Sequence, residues 1–222
     1  MYPIDTINLA IIDDQLMNQR LVQLYLSQES WINLALISDD GFELFKYLND
    51  NKLDVVLLDL QMPKISGFDI CTQLRQKHPD VKILIVSQLT DDESVHKIML
   101  TGAHGFFSKN SDPSELANAI DRLISHGYFF SMDLQAVIAI ANDLAYFKKS
   151  HLMPLEISPA EKAVLQLTSK GLSNKLIAIK QKVSVRTIEK HKENILKKTG
   201  QSNVVGALVM ALKNNVIQLG DL

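Results

Sequence analysis

Four short apolar runs in the first half of the chain each end on a residue able to do chemistry. Asp13 and Asp14 follow Ile7–Ile12, Asp59 follows Val55–Leu58, Ser87 follows Val81–Val86, and Lys109 lies just past Gly105–Phe107. Three carboxylates gathered in one place repel one another and require a cation. Hard oxygen donors with an open face suit Mg²⁺, which keeps some of its waters and also binds phosphate. A carboxylate beside Mg²⁺ and a lysine can accept a phosphoryl group, because metal and ammonium neutralise the equatorial oxygens in the transition state. A serine hydroxyl at the same place can hydrogen-bond the new group and turn a covalent event into a loop movement. Any one of these residues alone is more often a helix cap, a solvated loop acid or a surface charge. Their force lies in falling at successive strand ends.

The elements that must bring them together are legible as alternating patterns. Ile7–Ile12, Ile32–Ile37, Val55–Leu58, Val81–Val86 and Gly105–Phe107 are Val/Ile/Leu-rich or aromatic runs, as expected of parallel strands covered on both faces. Amphipathic stretches near 16–28, 41–50, 66–77, 92–101 and 112–125 separate or follow them. Five strands alternating with five helices predict an α/β, doubly wound, five-stranded parallel sheet, in which ligands bind at the C-terminal strand edge. Beyond Gly127 the pattern changes. Leu134, Val137, Ile138, Ala141, Leu144 and Ala145 form one apolar stripe, which predicts an extra helix over 134–145. The polar segment Lys148–Pro154 marks a boundary, and helices near 159–170, 173–180, 184–198 and 203–214 follow. The expected division is therefore 1–127, a linker with a helix over 128–156, and an all-α domain over 157–222.

Charge divides the same way. Residues 1–130 hold 10 basic against 18 acidic side chains, whereas residues 157–222 hold 11 against 4. An acidic half and a basic half predict two tasks, the second on a polyanion. No apolar run approaches the length of a membrane span, and the first residues lack a basic leader, so a cytoplasmic location is expected. The single Cys71 suits a reducing compartment and is read as a core thiol, and the six scattered histidines offer no zinc spacing.

Wording around the acids carries a resemblance. Asp59-Leu60-Gln61-Met62-Pro63-Lys64-Ile65-Ser66-Gly67 resembles the D-x-x-M-P-x-x-x-G signature of response-regulator receivers. Ile11-Ile12-Asp13-Asp14 resembles their acidic pair, and Gly102-Ala103-His104-Gly105-Phe106-Phe107-Ser108-Lys109 their G-A-x-G-[YF]-x-x-K segment. The likeness spans residue 6 to about 126 and implies a flavodoxin-like receiver. It implies Asp59 as phosphoacceptor, and Asp13, Asp14, Asp59 and the backbone carbonyl of Gln61 as Mg²⁺ ligands. Lys109 would pair with the phosphoryl oxygens, Ser87 would be the switch hydroxyl, and Phe106 the aromatic that follows it. Gln88 departs from the small residue common after the switch hydroxyl, so altered phosphorylation and dephosphorylation rates are expected.

The basic tail carries a second resemblance. Ile157-Ser158-Pro159-Ala160-Glu161, Gly171-Leu172-Ser173-Asn174-Lys175-Leu176-Ile177-Ala178 and Ser184-Val185-Arg186-Thr187-Ile188-Glu189-Lys190-His191 are similar to LuxR-type helix-turn-helix domains. Both halves together resemble the NarL/FixJ type of response regulator. On a helix beginning after Ser184, Val185, Ile188, Ile195 and Leu196 are expected to face inward, and Arg186, Glu189, Lys190, Glu193 and Lys197 outward. Ser173, Asn174, Lys175, Thr187, Lys197 and Lys198 are candidates for DNA phosphate contact, and Arg186, Glu189, Lys190 and Glu193 for base edges. Glu189 stands where the family commonly has a basic residue, which predicts an unusual operator. Gln181 stands where an apolar one is usual, which predicts looser packing.

These expectations combine into a phosphorylation switch. A histidine kinase would phosphorylate Asp59, Ser87 would be drawn inward, and a receiver that had covered or misoriented the recognition helix would free it, promote homodimerisation, or both. The helix over 134–145 would be a dimer surface or an interdomain one. The runner-up is a DNA-binding protein whose receiver is an interaction module independent of phosphate. A turnover phosphotransfer enzyme leaves the tail unexplained, so the chain is read as a switch and not an enzyme.

Overall fold

A computed structural model describes residues 6–63, 65–88, 98, 101–130, 155–214 and 216–217. The stripe over 134–145, the boundary at 148–154 and nearly all of the helix expected at 92–101 lie outside the described residues.

The described N-terminal elements are β1 (Ile7–Ile12), α1 (Leu16–Leu26), β2 (Ile32–Ser38), α2 (Gly41–Asp50), β3 (Val55–Leu58), α3 (Gly67–Lys77), β4 (Lys82–Ser87), β5 (Gly105–Ser108), α4 (Leu116–His126) and β6 (Phe129–Phe130). The sheet order is β2-β1-β3-β4-β5-β6, and every neighbouring pair is parallel. Here the expectation of five strands is corrected to six. Phe129 and Phe130, read in the sequence as the start of the linker, pair with Gly105 and Phe106. Two residues carry no periodicity, so this strand has no sequence signature of its own.

Alternation along the strands divides the core into two layers. Ala10, Ile12, Val56, Leu58, Ile83, Ile85 and Phe106 pack with Leu44, Leu48, Ile70 and Leu74 of α2 and α3. Leu9, Ile11, Val55, Leu57, Leu84, Val86 and Phe107 pack with Leu26 of α1 and with Leu116, Ala119, Ile120 and Leu123 of α4. Period-two strands with both faces apolar require helices on both sides, which is why these runs are continuous rather than alternating with polar residues. Gly127 ends α4 at φ 86, in the left-handed region that a residue without Cβ enters freely. Cys71 is fully buried, its Sγ 3.3 Å from Thr101 Oγ1, and burial pushes its thiol up to about 11. It is the core thiol the sequence suggested.

The C-terminal elements are α5 (Pro159–Ser169), α6 (Asn174–Gln181), α7 (Val185–Thr199) and α8 (Val204–Lys213). Their starts are chemically marked. Ser158 forms a capping box with Glu161, and Ser173, Ser184 and Asn203 accept from the backbone N–H groups of Leu176, Thr187 and Gly206. Ile177, Ile188, Ile195, Val205 and Leu208 make the small core. Gln181 is exposed at the end of α6, so it loosens no packing. Val185, expected to face inward, is 39% exposed at the first position of α7, ahead of the helices it would have packed against.

Candidate phosphoacceptor pocket and nucleic-acid interface

β1 and β3 are adjacent, and β2 lies on the far side of β1, so the chain reverses its direction of winding at the C-terminal ends of β1 and β3. Asp13 follows the last residue of β1 and Asp59 the last of β3. One carboxylate oxygen from each of Asp13, Asp14 and Asp59 lies within 4.8 Å of the others. Lys109 reaches across from the end of β5, its Nζ 2.8 Å from Asp13 Oδ2 and 2.7 Å from Asp59 Oδ2. Desolvation pulls this ammonium down, but the hydrogen bonds and charges of the two aspartates outweigh it and raise its pKa above the ordinary lysine value.

The backbone shapes the acids further. Gln15 N donates to Asp13 Oδ1 at 2.8 Å, and Gln61 N donates to Asp59 Oδ1 at 3.2 Å. Gln19 Nε2 donates to the Asp13 carbonyl at 2.6 Å. The sequence did not announce these contacts, since two come from backbone N–H groups and the third from Gln19, a side-chain amide in the first turn of α1, where amides are common. Gly67, the last residue of the acidic-loop motif, has a physical reason to be glycine. A Cβ there would run into the Asp59 carbonyl and the Leu60 Cα, so the start of α3 would have to move off the loop bearing the phosphoacceptor candidate.

Asp14 Oδ1 is buried and has no hydrogen-bond partner. An orphaned carboxylate oxygen beside two further carboxylates is the donor set a hard divalent cation fits. Ser87 is fully buried at the end of β4, and Phe106 is 2% exposed and faces the core. Gln88 is exposed at the same edge. All the receiver residues singled out from sequence therefore converge on one edge of the sheet, except that Phe106 lies one layer below, against the core.

In the basic domain, Arg186, Glu189, Lys190, Glu193 and Lys197 are exposed on α7, while Ile188 and Ile195 are completely buried. Lys175 is exposed, Ser173 and Thr187 are half-buried, and Asn174 is 6% exposed. Lys198, read as a phosphate contact, instead lies 2.7 Å from Glu161, a buried acid of the α5 capping box.

The two domains meet, and the meeting place was not legible in the sequence. Arg75 Nη2 donates to the Ser202 carbonyl at 3.2 Å, and Tyr128 Oη donates to the Thr168 carbonyl at 3.1 Å. Lys192 Nζ, from the recognition-helix candidate α7, donates to the His126 carbonyl and to Asn174 Oδ1, both at 2.7 Å. A cleft of about 750 Å³ lies between the domains, where Arg75, Lys82 and His104 face Glu189, Glu193 and Lys197. Burial holds the Lys82 ammonium below its ordinary value while the charge of Glu189 opposes that shift. His104 lies well below the usual histidine value because it is buried beside Lys82 and Arg75. Two of the four side chains expected to read bases, Glu189 and Glu193, thus line the cleft facing the receiver.

Comparison with known proteins agrees with this geometry. Residues 9–121 match the response regulator receiver domain family, and residues 156–211 match the luxR family of bacterial regulatory proteins. The chain belongs to the response regulators, with a receiver domain followed by a DNA-binding domain of the LuxR type. It is 26% identical over 226 residues to the transcriptional regulatory protein DegU of Brevibacillus brevis, covering 96% of each chain. It is 28% identical over 210 residues to the Fimbriae Z protein of Salmonella typhimurium, covering 95% of this chain and 98% of that one. Among solved structures it is similar to the Salmonella typhimurium RcsB response regulator, with a TM-score of 0.55 and 22% identity over 92% of this chain and 97% of that one. Another RcsB structure, of two dimers bound to two parallel DNAs, gives a TM-score of 0.55 at 21% identity over 94% of this chain and 98% of that chain.

Proposed function

We propose that a histidine kinase phosphorylates Asp59, and that this switches homodimerisation and sequence-specific binding of double-stranded DNA to regulate transcription. The observation that carries the reading is the Lys109 ammonium held between Asp13 and Asp59 beside the orphaned carboxylate oxygen of Asp14. Asp13, Asp14, Asp59 and the Gln61 carbonyl would hold Mg²⁺, which would supply charge neutralisation of the phosphoryl oxygens. Lys109 would move from bridging two carboxylates to pairing with the phosphoryl group. Ser87 would donate to that group, and Phe106 would follow. The protein acts in the cytoplasm as a switch rather than as a turnover enzyme. Its working parts are the receiver, whose sheet runs on through β6 at Phe129–Phe130, a connecting segment up to 156 and the DNA-binding domain over 157–222.

On α7, the exposed Arg186, Lys190 and Glu193 would meet base edges once the receiver has withdrawn, with Glu189 accepting from cytosine N4. Ser173, Asn174, Lys175, Thr187 and Lys197 would meet phosphates. Lys198, already paired with Glu161, has two further ammonium protons with which it would join them. A second copy has an available apolar surface on α1, where Met17, Leu21 and Leu24 recur at helical spacing and are 79%, 41% and 59% exposed.

The test is DNA binding and sedimentation with and without Mg²⁺ plus beryllofluoride, for wild type and Asp59→Ala. Beryllofluoride stands in for a phosphoryl group on aspartate. Tighter binding or dimerisation in wild type alone is the expected result. Equal, unresponsive DNA binding by both proteins would overturn the switch and leave the receiver as an interaction module.

A further inference from the structure

Lys192 occupies an unusual place for a lysine. It shares the inward column of α7 with Ile188, Ile195 and Thr199 and is 8% exposed. Residues spaced in this way normally supply core, and a buried ammonium there must find acceptors for its protons. It finds two oxygens. Asn174 Oδ1 comes from the first residue of α6 and the His126 carbonyl from the last residue of α4 in the receiver, each at 2.7 Å. On the DNA-binding side, the N-terminal end of α6 carries the positive end of its helix dipole beside the Lys192 ammonium, while Glu189 and Glu193 of α7 line the same cleft. The receiver answers with only a partial negative charge, the carbonyl end of α4. Burial, and then the neighbouring Lys82, pull Lys192 down to about 7, with Glu189 opposing. The ammonium form is therefore held by two neutral oxygens of the right geometry, neither of which supplies a full negative charge.

We infer that Lys192 and Asn174 form a DNA-phosphate site, and that the closed protein fills it with the backbone carbonyl of His126. The inference rests on the DNA-binding reading of this domain. Lys192 lies on the helix proposed to enter the major groove, and Asn174 lies at the helix end next to Ser173 and Lys175, where backbone phosphates are expected. When the receiver withdraws, the ammonium loses its carbonyl and presents to the duplex. A phosphate oxygen then takes the vacated position and supplies the full charge that the carbonyl lacked. Closure and DNA binding become mutually exclusive at a single atom, in addition to any obstruction of the groove-reading face. Lys192 is thus a latch in one state and a DNA contact in the other. A residue serving only as a latch behaves differently, and the two roles are separable.

The experiment measures the affinity of the full-length protein for a random-sequence duplex of about 30 base pairs, with Mg²⁺ and beryllofluoride, across a series of KCl concentrations. Wild type, Lys192→Met and Lys192→Arg are compared. Loss of one phosphate contact lowers the slope of log affinity against log salt by about 0.9, so Lys192→Met is expected to bind more weakly with that smaller slope, and Lys192→Arg to keep the wild-type slope. Lys192→Met binding as tightly as wild type or more tightly, with an unchanged slope, overturns the inference and leaves a latch alone. Wild type failing to bind duplex at any salt overturns the DNA-binding reading together with this one. A measurement on wild type needs no variant to fold: acetylation of lysines by an N-hydroxysuccinimide ester, read by mass spectrometry. Lys192 is expected to be protected in the resting protein, reactive after beryllofluoride, and protected again when duplex is added. Reactivity in the DNA complex equal to that of the activated free protein overturns the inference.

Discussion

Lys109 keeps Asp13 and Asp59 side by side at neutral pH, since its Nζ lies within 2.8 Å of both and its side chain is only 10% exposed. Removing one partner of a buried ion pair leaves uncompensated charge, a loss of about 3–5 kcal/mol in such settings. Lys109→Met is therefore expected to unfold more easily, and Mg²⁺ is expected to restore more stability to the variant than to wild type, because a divalent cation would neutralise the same carboxylates. Thermal melts of both proteins with and without Mg²⁺ check this, and equal gains from the metal would count against a cation at Asp13, Asp14 and Asp59. At this scale the sequence was most informative. Asp13, Asp14, Asp59, Ser87 and Lys109 were legible because each ends or follows a recognisable apolar run. Lys192 was not, because a lysine three and four positions from apolar residues reads as solvated surface until its acceptors are known.

Helices of the DNA-binding domain depend on their first turns. In α5 the Ser158 side chain accepts from Glu161 N at 3.3 Å, and Glu161 Oε2 accepts from Ser158 N at 2.8 Å and from Lys198 Nζ at 2.7 Å. Burial raises the Glu161 carboxyl, but these hydrogen bonds and the Lys198 charge outweigh it and leave its pKa below the ordinary 4.5. A carboxylate depressed on folding stabilises the native state above its unfolded pKa, and that contribution fades as pH falls from about 4.5 through the lower folded value. Glu161→Gln is expected to cost roughly 1 kcal/mol at pH 7 and to flatten the acid limb of stability below pH 5, measured by urea unfolding across pH. An acid limb identical to wild type would sink this account. Strand and helix positions were legible to within one or two residues wherever apolar periodicity was long enough, except that α4 begins at Leu116 and not near 112, because Pro113–Glu115 form a tighter 3-10 turn. β6 was missed because Phe129-Phe130 is too short to show a period, and Val185 was misplaced because the first residue of a helix can follow its spacing yet lack neighbours to pack on.

The interdomain hydrogen bonds join residues forty or more positions apart, so no local pattern announces the arrangement. Arg75, Tyr128 and Lys192 hydrogen-bond across it, and Val164, Leu165 and Ile177 of the DNA-binding domain belong to the same apolar cluster as Tyr128, Phe130 and Ala103 of the receiver. Each hydrogen bond contributes about 0.5–1.5 kcal/mol. Arg75→Ala combined with Tyr128→Phe is expected to weaken closure by roughly tenfold or more. The resting double variant should then bind duplex DNA more tightly than resting wild type, while the beryllofluoride-treated forms converge. Small-angle scattering should report a larger radius of gyration for the resting variant. Unchanged affinity and radius would place the resting state elsewhere than in this closed arrangement.

The docked domain hydrogen-bonds the receiver at His126 and Tyr128 and faces Lys82 and His104 across the cleft, where β4, β5 and β6 begin and α4 ends, whereas the acids stand where β1 and β3 finish. Parallel strands put those two sets on opposite rims of the sheet, and this has a consequence for the order of events. A phosphodonor approaching the acidic rim meets the same mouth whether or not the other rim is occupied. Under the proposed switch, chemistry need not wait for opening: the closed form would itself be the substrate, and separation of the domains would follow the covalent step instead of gating it. Initial rates of Asp59 phosphorylation by acetyl phosphate should accordingly match between resting wild type and the Arg75→Ala, Tyr128→Phe variant, even as their affinities for DNA differ.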